Sequence, residues 1–228
     1  MIVAKSPEWR ASLSFNIIGT RTDPRVLERM FKSIAHIADQ IVVIGDDKAD
    51  EAFYTIARAY TDDLFMYPWR KDFALARNRA LLHSRGDYVA WIDTDEFYEP
   101  AVASRIYNLM HRPMGKAFYV WQVSAKNNGE VIYVPQVRIF PNVPGARWEI
   151  PIHEQILPSL QRIGVPTELT DLRVVHYGYY QPRQVVQKHK RNLPLLARRV
   201  RTNPEDAFTR SNYEKAIAYE RSVRRRAL

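Results

Sequence analysis

The first half of the chain alternates short apolar runs, rich in β-branched residues, with helical patterns of polar and apolar positions. The apolar runs predict strands at residues 13–18, 40–44, 64–67 and 88–92. The patterns between them predict helices that begin at residues 24, 51 and 73. Strands that alternate with helices at this spacing indicate βαβ units and a buried parallel sheet.

The second half follows a different pattern. The elements predicted there are a helix at 100–111, hairpin arms at 117–124 and 131–140 around a turn at 127–129, and a strand at 172–175. Pro135 indicates that the second hairpin arm is an edge strand or an interrupted one. From Pro182 onward the chain is expected to be helical, with a break near 203–204. We therefore expect an α/β domain at 1–181 and a basic helical C-terminal extension at 182–228.

The helix that precedes the fourth predicted strand carries several signals. Asp72 can cap it, because its carboxylate can accept hydrogen bonds from the first exposed N–H groups. The helix is apolar on most sides, which predicts that it is largely buried and makes Arg77 and Asn78 conspicuous. Gly86 is suited to a left-handed cap at its end. The apolar strand that follows is expected to be buried on both faces.

The fourth strand ends in three acids within four positions, Asp93, Asp95 and Glu96. Like charges at contact distance raise one another's pKa, and a divalent cation offsets that cost. Carboxylate oxygens suit Mg²⁺ or Mn²⁺, and ligands of open α/β sheets collect beyond the carboxyl ends of strands. This edge is therefore the predicted site. A solvated acidic turn is the alternative for an isolated Asp-x-Asp.

The composition excludes several classes of protein. The 228 residues contain no cysteine, which rules out disulfides, thiolate metal sites and a cysteine nucleophile. No apolar run reaches the length of about 18 residues that a spanning helix needs, and residues 1–12 are too polar for a signal peptide. The eight glycines are scattered, which disfavours P-loop and Rossmann dinucleotide enzymes. A cytoplasmic location is expected.

The charge is concentrated at one end of the chain. Residues 182–228 carry 13 Lys and Arg against 4 Asp and Glu, whereas the rest of the chain is balanced. Such a basic segment can bind nucleic acid or, peripherally, an anionic membrane surface. The alternative is a solvated helical face without a partner.

The motifs of residues 69–96 together resemble the core of glycosyltransferase family 2. They are Trp69, Asp72-Phe73, Ala76-Arg77-Asn78, Gly86-Asp87 and Asp93-Thr94-Asp95-Glu96. The resemblance continues through Ile152–Glu154, His176–Tyr179 and Lys190-Arg191-Asn192, and so covers roughly residues 13–200. It implies a GT-A fold, in which a Rossmann-like mixed sheet is flanked by helices. It also implies a nucleotide-sugar donor, UDP-sugar by default, with Mn²⁺ or Mg²⁺ and an inverting mechanism.

The resemblance assigns roles to residues of this chain. Asp93 and Asp95 would hold the metal and the donor, with Asp95 as the direct ligand. Arg77 would reach the nucleotide, and Asp46 or Asp47 would reach the base or the ribose. A structural ion pair with a strand-end acid is the alternative for Arg77, and a solvated turn is the alternative for Asp46 and Asp47.

Two loops of the expected nucleotide pocket depart from the family pattern. Relatives usually close the second strand with Asp, where this chain has Gly45, and follow it with a Gly-Ser-Thr-Asp-like turn that only Asp50 matches. The usual Asn-Glu after the first strand is replaced by residues 19–23, which include Thr20 as a candidate donor contact. Because of these departures, the sequence does not identify the nucleotide base of the donor.

Two histidines and two glutamates complete the candidate site. Either His153 or His176 could complete the coordination of the metal, and His176 is favoured because it follows an apolar strand. Glu154 is the candidate base that removes the proton of the acceptor, with Glu96 second. The alternatives are hydrogen-bonded structural histidines and a salt bridge at Glu154.

These observations favour a metal-dependent transferase that moves a sugar from a nucleotide-diphosphate donor to an unknown acceptor, which could be a glycan, a protein or nucleic acid. The alternative is a non-catalytic nucleic-acid-binding module on a degenerate transferase scaffold. A nucleotidyltransferase, which also places paired acids on a metal, is a rival enzyme.

Overall fold

The computed structural model describes residues 10–111, 115–125, 129–177 and 182–226. Most of the predicted hairpin turn at 127–129 lies outside these residues, as do positions 178–181, where the predicted domain boundary falls. Within the described ranges, no helix is both long and apolar enough to cross a membrane.

The first half of the chain forms four parallel strands and three helices. The strands are β1 Leu13–Gly19, β2 Gln40–Gly45, β3 Leu64–Met66 and β4 Tyr88–Trp91. The helices are α1 Pro24–Ile34, α2 Glu51–Arg58 and α3 Phe73–His83. The strands lie in the order β3-β2-β1-β4, and each neighbouring pair is parallel. The predicted βαβ arrangement is therefore confirmed.

The second half extends the same sheet. Its strands are β5 Glu96–Phe97, β6 Ala117–Ala125, β7 Val131–Pro141 and β8 Thr167–His176. Its helices are α4 Pro100–Leu109, α5 Leu157–Arg162, α6 Pro182–Thr202 and α7 Ala207–Arg226. The full order is β3-β2-β1-β4-β7-β6-β8-β5, in which β7 is antiparallel to β4 and β6. Helices pack on both faces, so the predicted α/β class with a mixed sheet is confirmed.

Pro135 lies where the sheet tolerates it. It pairs with Trp121 of β6, whereas β7 pairs with β4 only through residues 139–141. The missing N–H of Pro135 therefore costs no hydrogen bond on the β4 side. The predicted edge character holds for this half of β7, although the other half is central.

The first-half helices begin as predicted. Asp23 accepts from the N–H groups of Arg25 and Val26, and Asp72 accepts from Leu75 N–H at 2.9 Å. The predicted burial of α3 was wrong on one side, since 68% of Leu82 is exposed. The buried residues of α3 are Ala74, Ala76, Arg77 and Ala80.

The predicted left-handed cap at Gly86 was also wrong. The helix ends through Ser84 in an extended conformation, and Gly86 is not among the residues with positive φ. Glycine is required for another reason, the close approach of this loop to β1, where Gly86 N–H donates to Ser14 Oγ at 2.8 Å. A Cβ at this position would lie 2.7 Å from Ser14 N, so the backbones of β1 and this loop are in contact.

Replacing Gly86 with alanine is expected to reduce the free energy of unfolding by about 1–3 kcal/mol, because the added methyl group must push β1 away. Urea denaturation measures the change. Adding Ser14→Ala should not restore stability, since the backbone nitrogen of residue 14 remains in the way. A change below about 0.5 kcal/mol would contradict the close approach.

The C-terminal helices pack against the sheet domain. Leu195 and Leu196 of α6 form an apolar cluster with Ile152. Trp69, Phe73, Tyr213 and Ala216 pack around this cluster. The basic extension is therefore attached beside the segment that begins α3, close to the predicted site.

Candidate active site

A cavity of about 960 Å³ lies at the carboxyl ends of β1, β2 and β4. Seven predicted site residues line it: Thr20, Asp46, Arg77, Asp93, Asp95, His153 and Glu154. Three other predicted site residues, Asp47, Glu96 and His176, are not among its lining residues. The predicted edge of the sheet is therefore concave, and most of the predicted side chains meet there.

Asp95 lies among cationic and hydrogen-bonding groups. Its Oδ2 accepts from Lys188 Nζ at 2.8 Å and lies 3.3 Å from His176 Nε2. The other ring nitrogen of His176 lies 3.1 Å from Ser124 Oγ, which orients the imidazole. Burial alone would raise the pKa of Asp95, but the His176 hydrogen bond and the Lys188 charge hold it well below its usual range.

Arg77 is buried between two carboxylates. Its Nη2 donates to Asp93 at 2.8 Å and its Nε donates to Glu154 at 2.6 Å. The guanidinium also lies over the rings of Trp91 and Trp148, at 4.1 and 5.0 Å from their centroids. Burial would lower the pKa of Arg77, but the two carboxylates raise it above its usual value. The structural ion pair considered for Arg77 is thus present.

Asp93 lies close to the charges of two buried arginines, Arg77 and Arg138. Its side chain is 36% exposed, so one part of the carboxylate faces the cavity. Burial and the neighbouring Asp95 raise its pKa, whereas Arg77 and Arg138 lower it, and the net effect is a lowered pKa. Asp93 therefore stays ionised at neutral pH.

Glu96 points away from the cavity into the protein. Both of its oxygens bind the Arg138 guanidinium, at 2.6 and 2.8 Å, and neither side chain has any exposed area. Glu96 also accepts from Gln122 Nε2 at 2.6 Å and from Asp93 N–H at 2.9 Å. The structure therefore brings Glu96 to Arg138 rather than to the cavity, and the pair fixes the backbone of the Asp-x-Asp turn.

Asn78 holds the segment that carries Glu154. Its Nδ2 donates to Trp148 O at 2.9 Å, and its Oδ1 accepts from Trp148 N–H at 2.8 Å. Pro151 O accepts from Phe73 N–H at 2.8 Å, so the start and the middle of α3 are both joined to this segment. The Arg-Asn pair that stood out in the sequence thus positions the wall of the cavity.

His153 has a strained backbone. Its φ is +57°, a conformation that costs a non-glycine residue about 1–3 kcal/mol. Burial lowers the pKa of His153, and the nearby Glu154 opposes this. Within the described ranges, no hydrogen bond or ion pair links His153 to Asp93 or Asp95. Of the two histidines, His176 is the one that contacts the Asp-x-Asp turn.

The pocket loops after β1 and β2 have separate roles. Thr22 Oγ1 lies 3.3 Å from Thr20 O and 3.0 Å from Thr94 Oγ1, which joins the β1 loop to the Asp-x-Asp turn. Asp46 lines the cavity. Asp47 instead accepts from Trp69 N–H at 3.0 Å, and this hydrogen bond lowers its pKa.

Sequence reasoning assigned no site role to α6, although its Lys-Arg-Asn segment was noted. Lys188, Arg191 and Asn192 line the cavity from one face of this helix. The Arg191 guanidinium lies 4.9 Å from the Phe73 ring centroid. In the part of the chain that is described, no carboxylate lies within ion-pair distance of Arg191. The cavity therefore has acids on its β4 side and cations on its α6 side.

Asp95 and His176 offer an oxygen and a nitrogen on which a divalent cation could bind. Asp95 Oδ2 and His176 Nε2 are 3.3 Å apart, close to the spacing of about 3 Å between neighbouring ligands of Mg²⁺ or Mn²⁺. No third His, Asp or Glu joins them as a metal-binding group within the described residues. Two protein ligands suit a metal that also binds water and substrate phosphates. The pair therefore fits such an ion.

Two curated proteins resemble this chain over most of its length. A TPR repeat-containing protein of Synechococcus elongatus is 26% identical over 200 residues, which is 82% of this chain and 48% of that protein. The prophage-derived glycosyltransferase SunS of Bacillus subtilis is 21% identical over 189 residues, which is 79% of this chain and 43% of that protein. The chain thus spans less than half the length of each.

Solved structures of glucosyl-3-phosphoglycerate synthase from Mycobacterium tuberculosis share the fold. The complex with Mn²⁺, UDP and phosphoglyceric acid has a TM-score of 0.58 and 12% identity, over 85% of this chain and 79% of that chain. The complex with Mn²⁺ and UDP-glucose has a TM-score of 0.56 and 12% identity, over 84% and 79%. The predicted GT-A-type fold is therefore confirmed.

The sequence family agrees with the fold. The family described as glycosyl transferase family 2 matches residues 17–177, from β1 to the end of β8. This match includes the Asp-x-Asp turn, α3 and the Glu154 segment, and it covers well over half of the chain. The chain belongs to glycosyl transferase family 2, as its motifs predicted.

Proposed function

We propose that the chain transfers a sugar from a nucleotide-diphosphate donor to an acceptor hydroxyl, with a divalent metal at Asp95. The observation that carries the proposal is the cavity itself, in which strand-end acids face the cationic side chains of α6. Its volume of about 960 Å³ lies within the range of small-molecule sites, about 300–1,000 Å³. The charges of both signs suit a metal and a diphosphate together.

Asp95 and His176 are the proposed metal ligands. A metal held there would neutralise the charge of the leaving diphosphate. Mn²⁺ and UDP are the default probes, because both are bound in a mycobacterial synthase structure that shares this fold. Asp93 keeps its negative charge beside this pair, and Arg77 holds it in place.

Glu154 is the proposed base. It lines the cavity, and Arg77 holds its Oε1 at 2.6 Å. In an inverting transfer, the acceptor oxygen bonds to the anomeric carbon as the bond from that carbon to the diphosphate breaks. The acceptor proton then passes to Glu154. Glu96 is not proposed for this step, because Arg138 binds both of its oxygens away from the cavity.

The position of α6 favours this function over a nucleic-acid-binding module. A module that used residues 182–228 to bind nucleic acid would direct its basic side chains outward. Lys188 and Arg191 instead line the cavity that holds Asp93 and Asp95. Binding of nucleic acid or of an anionic membrane surface by the other basic residues of the extension stays a prediction.

Thermal shift with a panel of nucleoside diphosphates, with and without Mn²⁺, tests the function. One nucleotide is expected to stabilise the wild type in a metal-dependent manner, because a ligand that binds only the folded state raises its stability. Asp95→Ala should abolish this effect. Asp171→Ala, which removes the exposed partner of Arg105, is the matched control and should respond as the wild type does.

The product separates the two enzyme classes. Free nucleoside diphosphate marks sugar transfer, whereas pyrophosphate marks nucleotidyl transfer. If no nucleotide stabilises the wild type at any metal concentration, the transferase proposal fails and the nucleic-acid-binding alternative takes its place.

A further inference from the structure

The Lys188 ammonium contacts both atoms that a metal at Asp95 needs. Its Nζ lies 2.8 Å from Asp95 Oδ2 and 3.4 Å from His176 Nε2, and these two atoms are 3.3 Å apart. The three atoms form a compact triangle in which the ammonium supplies the positive charge. A protein cation thus occupies the position next to Asp95 Oδ2 and His176 Nε2 that a divalent ion bound by these two atoms would take.

Lys188 reaches this position from a distant part of the chain. It follows Asp95 by 93 positions and belongs to α6, which packs on the domain through Leu195 and Leu196. Its side chain is partly exposed and lines the cavity. The flexible four-carbon stem of lysine allows its charge to move without a movement of the helix.

We propose that Lys188 is a further residue of the active site and that its ammonium changes partner when the ligands bind. Without ligands it neutralises Asp95, which would otherwise be a partly buried carboxylate beside Asp93. When Asp95 and His176 turn their lone pairs to a divalent cation, Lys188 leaves them. It then pairs with the donor diphosphate, next to Arg191. This inference rests on the proposed function.

Electrostatics favours the exchange. An ammonium group donates three hydrogen bonds and has no lone pair, so it cannot share a metal with Asp95 and His176. A unit charge and a double charge at contact distance repel each other strongly in a partly buried site. An ammonium that moves into the cavity instead meets a diphosphate, which it binds through charge-assisted hydrogen bonds.

Binding of Mn²⁺ alone, followed by the electron paramagnetic resonance signal of the free ion, tests the first half. Lys188→Met keeps the length of the side chain and removes its charge. The variant is expected to bind Mn²⁺ at least about tenfold more tightly than the wild type, because the ion no longer displaces a cation. An unchanged or weaker affinity would overturn the proposal.

Two variants of the same helix serve as controls. Lys190→Met removes an exposed charge that does not line the cavity, and Mn²⁺ affinity should stay at the wild-type value. Arg191→Met removes a cavity charge that has no hydrogen bond or ion pair to Asp95 within the described residues. Its effect should be clearly smaller than that of Lys188→Met. Equal changes in Mn²⁺ affinity in Lys188→Met and Arg191→Met would show that any positive charge near the cavity weakens metal binding. That result would overturn the specific role of Lys188.

Binding of UDP at saturating Mn²⁺ tests the second half. Lys188→Met is expected to weaken UDP binding about tenfold, because a charge-assisted hydrogen bond to the diphosphate is lost. Uridine, which has no diphosphate, should not distinguish the variant from the wild type. UDP affinity that is unchanged at saturating metal would overturn the change of partner.

The outcomes separate this inference from the function on which it rests. If the wild type binds Mn²⁺ and UDP but Lys188→Met behaves identically, only the role of Lys188 is overturned. If no variant binds Mn²⁺ or UDP, both proposals fail together. Tighter Mn²⁺ binding with weaker UDP binding in Lys188→Met, and in neither control to the same extent, supports the exchange.

Discussion

Replacing Arg138 with methionine is expected to lower the free energy of unfolding by about 3–5 kcal/mol, the cost of leaving one partner of a buried ion pair alone. Arg138 and Glu96 have no exposed side-chain area, and two hydrogen bonds of 2.6 and 2.8 Å join them. The variant therefore buries the Glu96 carboxylate without its counter-charge. Urea denaturation followed by circular dichroism measures the loss.

Two variants check the cause of this loss. Arg105→Met breaks an exposed ion pair with Asp171 and should change stability by less than about 1 kcal/mol. Adding Glu96→Leu to Arg138→Met should recover part of the loss, because replacing both partners of a buried pair is often neutral. A loss below about 1 kcal/mol in Arg138→Met would show that Glu96 does not depend on Arg138 for its charge.

The ion pair between Glu96 and Arg138 also positions the Asp-x-Asp turn of the site. Glu96 Oε2 accepts from the backbone N–H of Asp93 at 2.9 Å, so the pair anchors the first residue of the Asp-x-Asp turn. Arg138 also lowers the pKa of Asp93 through its charge. Loss of Arg138 should therefore weaken donor binding even at temperatures where the variant stays folded.

Local signals in the sequence predicted much of this architecture. Asp23 and Asp72 precede apolar helical patterns, and both cap the helices that follow them. The acids after β4 could be placed at one edge of the sheet, because parallel strands bring their carboxyl ends together. Each of these predictions depends on spacings of a few residues, which the sequence displays directly.

Contacts between distant residues could not be predicted in the same way. Glu96 and Arg138 are 42 positions apart, and Asp95 and Lys188 are 93 apart. The sequence does carry one trace of the first pair, since Arg138 lies between Val137 and Ile139 in an apolar strand. Lys188 carried no comparable trace, because it belongs to a segment in which basic residues are common.

Replacing Glu154 with glutamine is expected to lower the rate of sugar transfer by about 10²–10⁴-fold, the usual contribution of a general base. The glutamine side chain keeps an oxygen that can accept from Arg77 Nε, so the contact of 2.6 Å can persist. It cannot take the acceptor proton at neutral pH. The rate is measured as release of nucleoside diphosphate from the donor that the binding panel identifies, with water as the acceptor.

The two possible roles of Glu154, salt-bridge partner and general base, predict different results for this variant. If Glu154 only forms a salt bridge with Arg77, Glu154→Gln should lose stability and donor affinity together, and the rate at saturating donor should change little. If Glu154 is the base, the affinity should stay within about twofold while the rate falls, because the lost interaction belongs to the transition state. Glu149→Gln alters an acid of the same segment that does not line the cavity, and it should leave the rate unchanged. A full rate in Glu154→Gln would remove Glu154 as the base and leave its ion pair with Arg77 as its role.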